Sequence, residues 1–179
     1  METSNHVMID LETIGNDYDG IFTAIGACCF NPATGEIGKT FHMHVNWESS
    51  IAAGRTITPD TIKWWMTQSK EAQKEILQDG APLEYVLRLL KEFMPERATV
   101  WGNGPNFDMG KLETAYGYHD IPWEFYAIRC VRTIRALAEG IVDRDSIPFE
   151  GEKHNSLADA IHQAKYVSAM WQALRKDVK

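Results

Sequence analysis

A chain of 179 residues, 44% hydrophobic and 24% charged, fits one globular domain spanning 1–179 with a core of its own. That balance excludes a disordered, collagen-like or low-complexity chain, and no apolar run approaches the roughly 18 residues a membrane helix needs. A net charge of −7 argues against broad coating of nucleic acid and leaves such a partner only a small basic patch or bound cations to meet.

The opening residues have neither a basic start nor an apolar signal core. Cys28, Cys29 and Cys130 are odd in number, and two are adjacent, so no disulfide framework is expected. Reduced, buried thiols and a cytoplasmic location follow as expectations. In chain order, His6 to Glu12 reads as a short apolar strand. Phe22 to Phe30 and Thr40 to Val45 flank a Pro/Gly turn and read as a hairpin. Thr58-Pro59-Asp60 marks a helix start, followed by Ile62, Trp65 and Met66 at helical spacing. A second helix is expected from Pro82 to Met94, stopped by Pro95. Ala98 to Asn103 reads as a buried strand, Asn106 to Tyr116 as a helix and Phe125 to Cys130 as a short strand. Thr133 to Glu139 is helical, Asp143 to Lys153 a loop, and Asn155 to Lys176 a long closing helix. Antiparallel strands followed by helices, a further strand and more helices indicate a mixed α/β sheet with helices packed on it.

Three segments carry chemistry. Asp10 and Glu12 are two apart on a strand and so face one way. They are either two solvated acids at a strand end or a pair held by a divalent cation, and oxygen-only ligands suit magnesium or manganese. Asp108 follows the buried strand, where it serves either as a helix N-terminal acid or as a functional group at a strand end. Asp159 falls in the first turns of the last helix, and His154 precedes it on a loop. That histidine is either a surface side chain or a group able to take a proton from water near neutral pH.

Together the three resemble the DEDDh branch of the DnaQ-like 3′–5′ exonucleases. Asp10-Leu11-Glu12-Thr13-Ile14-Gly15 resembles its first motif, D-x-E-T-x-G. Asn106-Phe107-Asp108 with Leu112 resembles the second, and His154-x-x-Leu157-x-Asp159-Ala160 the third. Within that superfamily the chain is most similar to the small mycobacterial-type 3′–5′ exoribonucleases, which include phage and prophage members. Trp64-Trp65 and Cys130-Val131-Arg132-Thr133 support the narrower match.

The resemblance implies an RNase H-like fold, a mixed sheet flanked by helices. It implies that Asp10, Glu12, Asp108 and Asp159 bind two divalent cations, Mg2+ or Mn2+, with Asp10 bridging them and His154 as general base. The implied reaction is hydrolysis of single-stranded RNA from its 3′ end to nucleoside 5′-monophosphates, with single-stranded DNA as the alternative polymer. A short-oligonucleotide hydrolase and an inactive nucleic-acid-binding module are the other readings. Leu11 and Thr13 are expected beside the terminal nucleotide, as in relatives. Trp64 and Trp65, about 100° apart on a helix, are either both core or split between core and cleft, where one could stack on a base. Phe107 is a further candidate on the substrate side, more suited to packing beside Asp108. Lys63, Lys111, Arg129, Arg132, Arg135 and Lys153 are ordinary surface cations or phosphate binders. His42 and His44 alternate on a strand with no further zinc-type ligand nearby in sequence and read as a surface strand face, while His162 reads as structural. Close relatives pair, so a homodimer is implied, without a membrane partner.

Overall fold

The computed structural model describes residues 4–176. Five strands form one sheet: β1 (His6–Thr13), β2 (Phe22–Phe30), β3 (Ile37–His44), β4 (Thr99–Gly102) and β5 (Ile128–Cys130). Their order is β3-β2-β1-β4-β5. β1 to β3 are antiparallel neighbours, while β4 and β5 join parallel to β1. Seven α-helices in the described residues pack with the sheet, beside two one-turn 3-10 helices: α1 (Trp47–Ala52), α2 (Pro59–Trp65), α3 (Lys70–Ile76), α4 (Leu83–Phe93), α5 (Pro105–Ala115), α6 (Val131–Leu137) and α7 (Ser156–Lys176). Among the described residues no helix is long and apolar enough to cross a membrane.

Alternation along β1 decides which layer each side chain enters. Val7, Ile9 and Leu11 enter a core with Ile25 and Ala27 of β2, Val86 and Leu90 of α4, and Met109 and Leu112 of α5. Met8 points the other way, with Cys28 and Phe30, into a core closed by Val131 and Ile134 of α6 and Ala160, Ala164 and Val167 of α7. A smaller cluster of Ile14, Ile21, Trp65, Ala72 and Ile76 fastens α2 and α3 beside the end of β1. Burial pushes the Cys28 thiol up to about 12, and all three cysteines are free.

The elements differ from the sequence expectation at four places. α1 and α3 are only six and seven residues long, too short for helical periodicity to stand out. β3 begins at Ile37, three residues early, because its first pairs lie on a solvated sheet edge without apolar alternation. Phe125–Ala127 is a one-turn 3-10 helix, and only Ile128–Cys130 pairs as a strand. Thr58 stands at the start of α2 as expected, but its hydroxyl accepts from the Asn16 N–H at 2.9 Å instead of capping the helix.

The closest approach between layers is at Gly26. A Cβ there would lie 2.1 Å from Ser156 C and 2.2 Å from Leu157 N, so the start of α7 rests directly on β2. Gly26→Ala is expected to lift the α7 N-terminus, cost about 1–3 kcal/mol or more of stability, and impair activity through Asp159. Chemical denaturation and an activity assay check both effects. An unchanged midpoint would mean the contact is not tight.

Candidate active site

Register places the site. Asp10 pairs with Gly26, which pairs with His42; Glu12 pairs with Ala24, which pairs with His44. All six residues share one sheet face, and the start of α7 lies across the middle row at Gly26. Asp159, in the first turn of α7, completes a group with Asp10 and Glu12 whose ligand atoms lie within 4.8 Å of one another. Asp108 arrives from α5, beyond the C-terminal end of β4, packed closely against Gly102. A Cβ on Gly102 would sit 3.1 Å from Asp108 Oδ2.

This crowding of carboxylates sets the electrostatics. Burial pushes Glu12 up to about 8, reinforced by the charges of Asp159, Glu75 and Asp108. Burial likewise pushes Asp108 up to about 7, against the pull of Lys111. Asp10 keeps some solvent contact at its edge, yet burial, then Asp108, Glu12 and Asp159, raise it well above the carboxylate range. Burial also raises Asp159, opposed by the His154 backbone N–H, which donates to Asp159 Oδ2 at 2.9 Å. Four acids raised together form a site short of positive charge, with the oxygen donors a hard divalent cation takes.

His154 sits at φ 63°, in the left-handed region, on the turn into α7. Its ring meets Trp64 edge-on with centroids 5.2 Å apart, and Trp65 at 5.8 Å. The tryptophans divide between core and cleft. Trp65 is 1% exposed and donates its indole N–H to Thr13 O at 2.8 Å, whereas Trp64 is 45% exposed. Leu11, Glu12, Thr13, Asn16, Trp64, Trp65 and Phe107 are among the residues lining a cleft of about 410 Å³ beside the carboxylates. Leu11 and Thr13 themselves are largely buried, and Phe107 is 39% exposed with the Lys111 ammonium over its ring.

Several residues escaped the sequence reading. Gln163, one turn past Asp159, donates from Nε2 to Asp10 Oδ1 at 2.7 Å, and its i+4 offset from Asp159 was the available signal. Arg55 is buried and holds the loop after β1 through Gly20 O at 2.8 Å and Tyr18 O at 3.2 Å. Lys111 is no surface cation: it is 1% exposed, holds Asn16 O at 2.9 Å and is lowered by burial to about 8. Lys63 is exposed and paired with Asp60, while Arg132 reaches Asn103 Oδ1 at 3.4 Å near Asp108. His42 and His44 are not a plain surface face. They are half-buried and converge on Glu75 of α3, at 3.3 and 3.0 Å.

A mixed five-stranded sheet carrying these acids and a histidine five residues before the last of them defines an RNase H-like 3′–5′ exonuclease of DEDDh type. The chain belongs to the family of the 3'-5' exoribonuclease Rv2179c-like domain, whose model matches residues 5–171. Among solved structures it is similar to the nuclease domain of 3'hExo, a DEDDh family member, bound to rAMP. That match has 14% identity and a TM-score of 0.63 over 96% of this chain and 92% of the other. Exonuclease X in complex with 5' overhanging duplex DNA matches at 17% identity and a TM-score of 0.61, covering 97% and 93%. S. pombe Pop2p in its Mg2+ and Mn2+ bound form matches at 15% identity and a TM-score of 0.63, covering 98% and 84%. No curated protein matches.

The raised carboxylates make a pH prediction. Between their unfolded values near 4 and their folded values, up to about 8 for Glu12, the folded state holds protons that the unfolded state has released. Stability of the metal-free protein is therefore expected to fall as pH rises from about 5 to 8, by up to about 1.4 kcal/mol per unit for each such group. Manganese should flatten that slope, and Asp10→Asn should raise the metal-free Tm at pH 8. Thermal melts across pH, with and without manganese, check this; a metal-free Tm that climbs toward pH 8 would contradict it.

Proposed function

We propose that this chain, acting as one domain over 1–179, hydrolyses single-stranded RNA from its 3′ end and releases nucleoside 5′-monophosphates. The observation that carries the reading is the meeting of Asp10, Glu12, Asp108 and Asp159 beside a cleft with His154 at its rim. Asp10, Glu12 and Asp159 would hold one divalent cation, and Asp10 with Asp108 a second, Mg2+ or Mn2+. When bound, such ions lower the pKa of a water and stabilise charge on the phosphate and the leaving 3′ oxygen.

The chain's own residues do the rest. Gln163 orients the Asp10 carboxylate. The Asp159 carboxylate holds the His154 backbone, so the base and its neighbouring ligand are set together. His154 accepts the proton from the attacking water at an imidazole nitrogen and returns it to solvent. Trp64, backed by the fixed Trp65, offers an exposed face for the terminal base, while Leu11, Thr13 and Phe107 border the sugar. Arg55 and Lys111 hold the loop that carries Asn16, one wall of that cleft. RNA is favoured over DNA by the description of the family, which is that of an exoribonuclease. A homodimer is part of the proposal, supported by Phe125, Tyr126 and Leu137, each more than 60% exposed near edge strand β5. Three free cysteines support action in the reducing cytoplasm.

The test is a 5′-labelled single-stranded RNA and its DNA twin, with manganese and with chelator. A metal-dependent ladder shrinking from the 3′ end on RNA is expected. Equal shrinkage of both would make the enzyme a general 3′–5′ exonuclease, and digestion confined to the shortest RNAs would favour a short-oligonucleotide hydrolase. Metal binding with no hydrolysis of either would leave the binding-module reading.

Asp10→Asn is expected to abolish turnover with the fold intact. His154→Ala is expected to slow it by about 10²–10⁴-fold while manganese binding persists. Rates beside a manganese titration check both, and a His154→Ala protein that no longer binds manganese would make the histidine a ligand.

A further inference from the structure

Two strands away from Asp10 and Glu12, on the same sheet face, stands a second set of ligand-type groups that the exonuclease reaction does not use. His42 and His44 lie in the rows of Asp10 and Glu12, at a separation of about 9–10 Å for two strand spacings. Glu75 of α3 reaches over the edge strand to both. Its Oε1 is 3.0 Å from His44 Nε2 and 3.3 Å from His42 Nε2, and one ligand atom from each residue lies within 4.8 Å of the others.

The hydrogen bonding of this cluster is incomplete. His44 Nε2 bonds Glu75 Oε1, but His42 Nε2, buried and 3.3 Å from the same oxygen, is not aligned for a full hydrogen bond. Burying an imidazole nitrogen without a partner is unfavourable, and a shared cation would satisfy it. The spacing agrees: nitrogen and oxygen ligands bonded at about 2.0–2.1 Å in a tetrahedron stand about 3.3 Å apart. The carboxylate is also held from outside, as the groups behind metal ligands commonly are. Gln78 Nε2 donates to Glu75 Oε2 at 3.0 Å, and Asn155 Nδ2 donates to Oε1 at 2.8 Å.

We propose that His42, His44 and Glu75 bind a borderline-soft divalent cation of the zinc type, separate from the four-carboxylate site. Two imidazoles and one carboxylate favour zinc over magnesium, which prefers oxygen alone. The ion clamps α3 to β3. Through Glu75 it also fixes Asn155, whose Oδ1 accepts the Ala158 N–H at 3.0 Å to start α7 one residue after His154. Its positive charge further offsets Glu75, which otherwise repels Glu12.

Zinc is the probe, measured as metal content after dialysis of the whole chain against excess magnesium, which fills the oxygen site. Wild type and Asp10→Asn are expected to retain about one zinc per chain. His42→Asn and Glu75→Gln should each bind it at least about tenfold more weakly. Cobalt in place of zinc should give the visible absorption of a tetrahedral nitrogen–oxygen site in wild type and lose it in the same two variants. Far-ultraviolet dichroism confirms folding, and His44→Gln replaces any variant that does not fold. A wild type that retains no zinc overturns the proposal and leaves a hydrogen-bonded cluster. So does a His42→Asn protein that retains as much as wild type. These readouts do not depend on hydrolysis, so the exonuclease reading can fail while this one stands.

Discussion

Four carboxylates held together against their own repulsion are the constraint on which the rest of this structure depends. Strand alternation turns Asp10 and Glu12 to one face, α7 brings Asp159 over them, and α5 delivers Asp108 past Gly102. Burial raises all four acids, neighbouring carboxylates raise Asp10 and Glu12 further, and the buried cations answer only in part: Arg55 serves backbone carbonyls, and Lys111 draws Asp108 down while its ammonium is held by Asn16 O. The fold stabilises this arrangement from elsewhere, through two apolar cores on opposite faces of the sheet and a third cluster under α2 and α3. The arrangement is thus short of positive charge, and in the proposed reaction bound cations are what let an acidic chain meet an anionic polymer at one place.

The close seat of α7 on the sheet follows from the same need. The helix that carries Asp159 begins almost at backbone distance from β2, the strand beside β1, and Gly26 there allows it. The α7 N-terminus then stands between two clusters, with Asp159 toward Asp10 and Glu12, and Asn155 toward Glu75 and the two histidines. His154 sits between them in a left-handed conformation, braced by Trp64 and Trp65. Any change in how α7 begins is felt by the proposed base, by one carboxylate and by the histidine cluster at once.

Much of the candidate site was legible because its signals are local. Alternation paired Asp10 with Glu12, the Gly-Pro break after a buried strand marked Asp108, and five residues separate His154 from Asp159. The succession of the main strands and the long helices along the chain also followed from apolar patterning and turn signals. What stayed hidden depends on register and on short elements. Glu75 meets His44 across 31 residues through the seven-residue helix α3, whose apolar positions are too few to show a period. Gln163 shares a helix face with Asp159, yet its partner Asp10 lies 153 residues away. Lys111 reads as a solvated cation in sequence, but α5 turns it inward beneath Phe107.

The most direct measurement is a count of manganese ions bound per chain, by paramagnetic resonance, in the presence of a nucleoside 5′-monophosphate. Two ions per chain, both lost or greatly weakened in Asp10→Asn, is the result this account predicts. Manganese binding that is indifferent to Asp10→Asn would contradict it, because the four carboxylates would then not be the cation site around which the enzyme is built.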